Sequence, residues 1–177
     1  FKPDPNLARR QQIFQIWIRP VEPRNGGFAL RMALYELNKL VADGLSQENL
    51  ESTREFLSKS LNLLTQTESE RLGYALDSRY YGTGEFGAFL KDALGKLTRE
   101  DVNRAIRKHL RSTGLDIVII TKEANGMKRA LRSNSPSTVH YASKPAQDIL
   151  AEDKIIGRYK LDIGSIEIVP VETIFEQ

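Results

Sequence analysis

The sequence lacks several residues on which common active sites depend. It contains no cysteine, which excludes structural disulfides and thiolate metal sites. Only two histidines are present, His109 and His140, and neither begins an H-x-x-E-H run. A helical zinc peptidase site needs two histidines one turn apart, with a general-base glutamate between them. This chain therefore cannot build such a site alone.

An excess of one charge and long apolar runs are also absent. The net charge is only +3 over 177 residues, so no nucleic-acid partner is predicted. No apolar run reaches the roughly 18 residues that cross a bilayer, so no membrane span is predicted. No signal peptide is recognisable, and the chain opens Phe-Lys-Pro-Asp-Pro without a methionine. We expect a piece of a longer protein, with 40% hydrophobic residues sufficient for one core.

Two segments have the composition of β-strands. Residues 11–20 alternate, with Ile13 and Trp17 on one face and Phe14 and Ile16 on the other, before Pro20 ends the pattern. Residues 115–121 are rich in β-branched side chains and predict a central strand. Residues 158–163 and 166–171 alternate in the same way, and they could be edge strands or an arm.

Between the two strand patterns, apolar residues recur at helical spacing. Start signals are a Ser46 cap and two capping boxes, Thr67 with Glu70 and Thr98 with Asp101, and Gly44 is a left-handed stop. The predicted helices cover residues 28–43, a segment following Ser46, 68–80, 85–94, 99–110 and 125–132.

The order of these elements predicts an α+β fold. One strand, a run of helices, a second strand and a loose tail do not make the regular alternation of a doubly wound fold. We expect a two-layer sandwich with a mainly antiparallel sheet and helices on one face. Residues 1–150 would form a single domain missing some upstream strands, and residues 151–177 an extended C-terminal arm or edge strands.

Several stretches together resemble a known family. They are FQIWIRPV, NGGFALRMALYELNKLVADGLSQENLESTREFL, RLGYALDSRYYG, LTREDVNRAIRKHL and LDIVIIT. In order and spacing, from Phe14 to Leu161, they resemble the second domain of the pitrilysin/insulinase peptidases, which include the mitochondrial processing peptidase and bacterial paired peptidases. The resemblance implies a clamshell of two similar α+β domains, one carrying zinc and the other closing over the substrate.

The departures from the family pattern define the expected role. Without the zinc motif, the resemblance implies the inactive half, with no metal or cofactor in this chain and zinc in the partner domain. In active members that half also carries an Arg and a Tyr at a fixed spacing that hold the substrate. No Arg and Tyr of this chain have that spacing, and Arg71 and Tyr74 are too close together. We expect the pair in a segment upstream of the strand matching residues 14–18.

Local features allow two interpretations each. The cations of the helix over 99–110 could contact phosphates, but a solvated face with basic residues at a helix C-terminus is the simpler reading. The aromatic residues around Tyr80 and Tyr81 could line a peptide cleft, or pack in a core. His109, at a helix end, is interpreted as a surface or capping residue, and His140 as part of a loop or short strand with no partner for metal binding. For substrate contact we select Arg19 and Tyr81, with no catalytic or metal-binding residue in this chain.

The sequence favours a non-catalytic, substrate-binding half of a zinc peptidase, acting with a zinc-bearing domain or subunit on a peptide substrate. By the same resemblance we expect a bacterial, periplasmic protein. One alternative is a structural paralogue without a peptidase role, and another is a basic interaction module. The strand over residues 13–19 is the predicted wall of the substrate cleft.

Overall fold

The computed structural model describes Pro5, Leu7 and residues 13–174, and the regular structure in these residues is helical. Short 3-10 turns occur at Pro23–Asn25 and Val171–Thr173. The helices, in chain order, are α1 Gly26–Asp43, α2 Gln47–Leu64, α3 Glu68–Tyr81, α4 Phe86–Lys96, α5 Arg99–His109, α6 Ala124–Ser133 and α7 Gln147–Ile156.

Local capping chemistry sets the helix starts, as the sequence predicted. At α2, the Ser46 hydroxyl accepts a hydrogen bond from the Asn49 backbone N–H at 3.1 Å. The box predicted before α3 is formed, because Thr67 accepts from the Glu70 N–H and the Glu70 carboxylate accepts from the Thr67 N–H. Thr98 and Asp101 form the second predicted box at α5. Each cap satisfies backbone donors that the first helical turn leaves without partners.

The prediction of an α+β sandwich is wrong. No β-strand occurs within residues 13–174, and the predicted strands at 13–20 and 115–121 have no regular secondary structure. Residues 158–163 and 166–171, expected to be edge strands or an arm, form no strand either, and Val171 begins the second 3-10 turn. Residues 11 and 12 lie outside the described part of the chain. The physical reason is that a strand exists only with a neighbour that completes its hydrogen-bonded ladder. Strand composition reports that a segment can pair, but not that a pairing partner is present.

The helix α7 was not predicted. Residues 147–156 form it, and they include the first part of the segment expected to be an arm or edge strands. Its start gives no clear sequence signal, since Ala146 at the N-cap has no side chain that could accept a hydrogen bond. The sequence analysis, which expected only a weakly patterned tail, therefore missed this helix. Its last residue, Ile156, is buried.

The chain divides into two compact units. The first unit holds Asp43–Leu110 together with the described residues up to Phe14, and it contains α2 to α5. Its side chains Leu50, Leu61, Tyr74, Leu94 and Ile106 are buried. Tyr74 of α3 stacks on Phe86 of α4 with ring centroids 3.9 Å apart. This stack and the buried leucines hold the helices of the unit together.

The second unit holds Gln15–Ala42 and the chain from Arg111 to the last described residue, Ile174. Its core joins Leu30 of α1, Leu131 of α6 and Leu161, with further apolar side chains packed around them. One close backbone approach requires glycine. A Cβ on Gly157 would lie 2.3 Å from the Ser137 carbonyl oxygen, and the Ser137 N–H donates to the Gly157 carbonyl at 2.9 Å.

Among the residues that the structure describes, three asparagine side chains each bind both the N–H and the C=O of one distant residue. We call this arrangement an asparagine clamp. In each clamp the side-chain oxygen accepts from the N–H and the side-chain nitrogen donates to the C=O, as a neighbouring strand would. The clamps join Asn103 to Leu45 in the first unit, and Asn25 to His140 and Asn134 to Leu161 in the second.

Candidate functional site

The predicted substrate contacts Arg19 and Tyr81 fall in different units. Arg19 is exposed in the irregular segment before α1. Tyr81 ends α3 and is 69% exposed, and it contacts the ring of Tyr80 edge-on at 4.9 Å. Both side chains are therefore accessible to a ligand, and the role of each in substrate contact stays a prediction. The aromatic pair at the end of α3 does not belong to the core.

A run of exposed apolar side chains lies at residues 115–121, which we call the isoleucine segment. Val118 is 88% exposed and Ile120 is 98% exposed, while Leu115, Ile117 and Ile119 are exposed to a lesser degree. The segment carries one charged residue, Asp116, and no proline. Exposed runs of β-branched residues are the surfaces that pair with another strand. The segment is thus the strongest candidate for a protein or peptide contact in the second unit.

The predicted cleft wall at residues 13–19 is also accessible. Ile13 and Trp17 are more than two-thirds exposed, and the Trp17 indole N–H donates to the Gln15 side chain at 2.8 Å. The segment is irregular, so it offers a row of side chains rather than the edge of a sheet. Its role as a wall of the cleft stays a prediction.

A cavity of about 280 Å³ opens in the second unit beside the C-terminal end of α6. We call it the Arg132–Asp162 cavity, after its two charged lining residues. Its lining residues are Leu131, Arg132, Asn134, Leu161, Asp162, Ile163, Gly164 and Ile166. Sequence reasoning missed it, because the residues come from two segments that only the fold brings together. The available signal was Asn134, which has a left-handed backbone with φ of 50° at the end of α6.

A buried arginine supports one wall of this cavity. Arg31 of α1 is only 3% exposed, and its Nη2 donates to the Ser135 carbonyl at 2.7 Å and to the Asn134 side-chain oxygen at 3.3 Å. Burial lowers the pKa of Arg31 from its ordinary value, because the charged form is desolvated. Within residues 13–174, no carboxylate forms an ion pair with it. Arg31 thus fixes Asn134, which in turn fixes Leu161.

The basic helix α5 has much of its charge paired internally. Arg104 forms an ion pair with Asp101, and Arg99 with Glu100 at 3.0 Å. Hydrogen bonds from Thr98, then the bond and charge of Arg104, lower the pKa of Asp101 to about 2. The first turn is acidic and the last turn is basic, an order that complements the helix dipole. This arrangement agrees with the solvated-face reading of the helix.

The two histidines do not come together with other ligands. His109 is the last residue of α5, and the exposed His140 uses its backbone groups to bind Asn25. In the described ranges, no three His, Asp or Glu side chains are grouped as metal ligands. No helix in the same ranges is long and apolar enough to cross a membrane.

The comparisons with known proteins give no relative for this chain. No family model matches the sequence, and neither a curated protein nor a solved structure is significantly similar to it. The resemblance to the pitrilysin/insulinase peptidases accordingly stays a prediction.

Proposed function

We propose that this protein is the non-catalytic, substrate-binding half of a zinc-dependent peptidase of the pitrilysin/insulinase type. It would act in proteolysis with a zinc-bearing partner domain or subunit, in the periplasm. A zinc ion bound by the partner would supply the activation of water that peptide hydrolysis needs. This chain supplies binding surface and helps to exclude water from the closed site. The proposal is supported by the sequence resemblance and, in the structure, by the exposed isoleucine segment.

The isoleucine segment is the observation that carries the proposal. Since the described chain has no sheet, a bound peptide cannot add to a sheet edge of this protein, as the strand patterns had suggested. Residues 115–121 can instead pair directly with an extended peptide, whose backbone groups bind theirs while side chains are covered. Burying a side chain such as Val118 or Ile120 contributes about 1.5–3 kcal/mol. Both side chains are almost fully available for such a contact.

Arg19 and Tyr81 have supporting roles in this proposal. The Arg19 guanidinium can donate to carbonyl or carboxylate oxygens of the peptide, and it is accessible in its irregular segment. The exposed ring of Tyr81, in the first unit, offers an apolar face and a hydroxyl to a peptide. Neither group performs chemistry.

The test is peptidase activity on a library of unstructured peptides. Cleavage is measured with this chain and zinc, with the zinc-bearing half encoded beside it, and with the two mixed, each with and without chelator. We expect cleavage in the mixture only, abolished by chelator. A Val118→Lys/Ile120→Lys variant should raise the KM of the mixture, whereas Val171→Lys should not. Val171 is the matched control because it is a 65% exposed apolar residue of the same unit.

Other outcomes would overturn the proposal. Cleavage by the isolated chain would mean that a metal site was missed. A mixture no more active than the partner alone would favour a structural paralogue without a role in peptide binding. Binding of nucleic acid that weakens steeply with salt would instead indicate the basic interaction module.

A further inference from the structure

Helix α3 carries a row of apolar side chains on the side that faces away from the core of the first unit. Leu72, Leu76 and Tyr80 follow one another at four-residue steps, which places them along one side of the helix, and they are 62%, 43% and 82% exposed. We call these three residues the α3 stripe. Gly73 and Tyr74, on the side that faces the interior, are buried. The α3 stripe is therefore a surface feature, and contiguous exposed apolar side chains are typical of contact surfaces.

Two charged residues lie near the ends of the same side of α3. Glu68 is four residues before Leu72 and Arg79 is seven residues after it, so both share the face of the stripe. Both side chains are exposed, and neither forms an ion pair or a hydrogen bond with a residue that the structure describes. On α2, by contrast, the exposed Glu55 and Lys59 pair with each other. The face of α3 therefore carries one unpaired anion and one unpaired cation.

The order of these groups along α3 is self-complementary. When a second α3 lies antiparallel to the first, Glu68 of each copy meets Arg79 of the other, whereas a parallel arrangement would set like charges side by side. Leu72 and Leu76 lie between the two charges, and the midpoint of the leucines is about 1 Å from the midpoint of the charged residues along the helix axis. One two-fold axis therefore brings the leucines of two copies together and forms both ion pairs at the same time.

We propose that the α3 stripe is the contact between two copies of this chain in a symmetric, antiparallel dimer. Leu72 of each copy packs beside Leu76 of the other, and Tyr80 lengthens the apolar contact. The two pairs between Glu68 and Arg79 flank it. Each copy contributes one 14-residue helix, so we expect a Kd of about 10–100 µM rather than a permanent dimer. This inference goes beyond the proposed function and does not depend on it, because the dimer needs neither a zinc-bearing partner nor a peptide.

The first experiment is sedimentation velocity of the full chain at about 1–500 µM, where we expect the average mass to rise from that of a monomer to that of a dimer. Leu72→Lys should weaken the dimer about ten-fold or more, because two leucines leave the contact and two like charges enter it. Leu63→Lys is the matched control, since Leu63 of α2 is also 62% exposed in the same unit. A monomer at every concentration, association beyond a dimer, or a dimer that Leu72→Lys weakens no more than Leu63→Lys does would overturn the proposal.

The second experiment tests the antiparallel orientation by reversing charges. Glu68→Arg and Arg79→Glu, each alone, should weaken the dimer about five-fold, because both ion pairs become contacts between like charges. An equimolar mixture of the two variants should recover the original Kd, since each copy then carries the charge that the other needs. Both substitutions also oppose the helix dipole, but mixing restores only the contacts between copies, so it separates the two effects. No loss from either single reversal, or no recovery in the mixture, would refute the antiparallel contact.

Discussion

Asn103 of α5 holds the backbone of Leu45 by both of its polar groups. The Asn103 Oδ1 accepts from the Leu45 N–H at 2.7 Å, and its Nδ2 donates to the Leu45 carbonyl at 3.2 Å. Leu45 lies in the short connection between α1 and α2, so the clamp ties this connection to α5 within the first unit.

Replacing Asn103 by leucine should destabilise the protein by about 1–3 kcal/mol, because two part-buried backbone groups lose their partners. Urea unfolding measures the loss as a lower midpoint with an unchanged m-value. Asn62→Leu is the control, since Asn62 is an exposed residue of α2. Equal effects of the two substitutions would show that the clamp contributes nothing to stability.

A side chain at position 44, beside this clamp, should destabilise the protein. Its φ is 76°, and a Cβ would lie 2.8 Å from Cγ and Oδ1 of Asn103. Gly44→Ala should cost about 1–2 kcal/mol for the left-handed backbone, and more for displacing Asn103. Gly82→Ala separates the two effects, because Gly82 has φ of 68° but no atom within 4 Å of its Cβ position. In an Asn103→Ala background, the Gly44→Ala penalty should fall to that of Gly82→Ala in thermal unfolding.

The start of α5 should lose stability in acid. The pKa of Asp101 is lowered from 3.8 to about 2, first by the Thr98 hydroxyl and then by Arg104. Because the folded pKa is the lower one, the stabilisation is fully present above about pH 4, and it is lost as the pH falls toward 2. Asp101→Asn should flatten this part of a stability-versus-pH curve. Asp148→Asn, which removes a first-turn charge from α7, is the control, and an equal change in both variants would argue against the Thr98–Asp101 box.

Arg31 should be replaced more easily by methionine than by alanine. Arg31→Ala removes a charge-assisted bond to the Ser135 carbonyl and leaves a cavity, so we expect a loss of about 2–4 kcal/mol. Arg31→Met keeps most of the packed volume and removes a desolvated charge. Denaturant unfolding of both variants checks the order. If Arg31→Met destabilised the protein more than Arg31→Ala, the packed volume of the side chain would contribute less to stability than we expect.

The helix starts could be predicted from the sequence because each depends on residues that are close together in the chain. The caps Ser46, Thr67 and Thr98 each accept a hydrogen bond from the backbone N–H three residues downstream, so their roles can be inferred from spacing alone. The strands were predicted from the same kind of local pattern, but a ladder needs a second segment. Residues 115–121 have strand composition, yet Ile120 is 98% exposed and unpaired with any described strand.

The candidate site was the least predictable part. Arg19 and Tyr81 are accessible as expected, but the cavity depends on contacts between α6 and residues 161–166. Asn134 reaches Leu161 across 27 positions of sequence, and no spacing rule indicates which residue an asparagine amide will bind. Arg31 would be placed on the polar side of α1 by its charge, whereas it is among the most buried residues.

The clamp between Asn25 and His140 depends on an asparagine that can deamidate. Asn25 is followed by Gly26, which has no side chain to hinder attack of its backbone nitrogen on the Asn25 amide. The attack closes a succinimide ring and releases the amide nitrogen as ammonia, so the Nδ2 that donates to the His140 carbonyl is lost, and water then opens the ring to a carboxylate. A carboxylate in its place can still accept from the His140 N–H, but it faces the carbonyl as a second acceptor. Deamidation of this one residue would therefore weaken the attachment of the loop around His140 to the start of α1 without any cut in the chain.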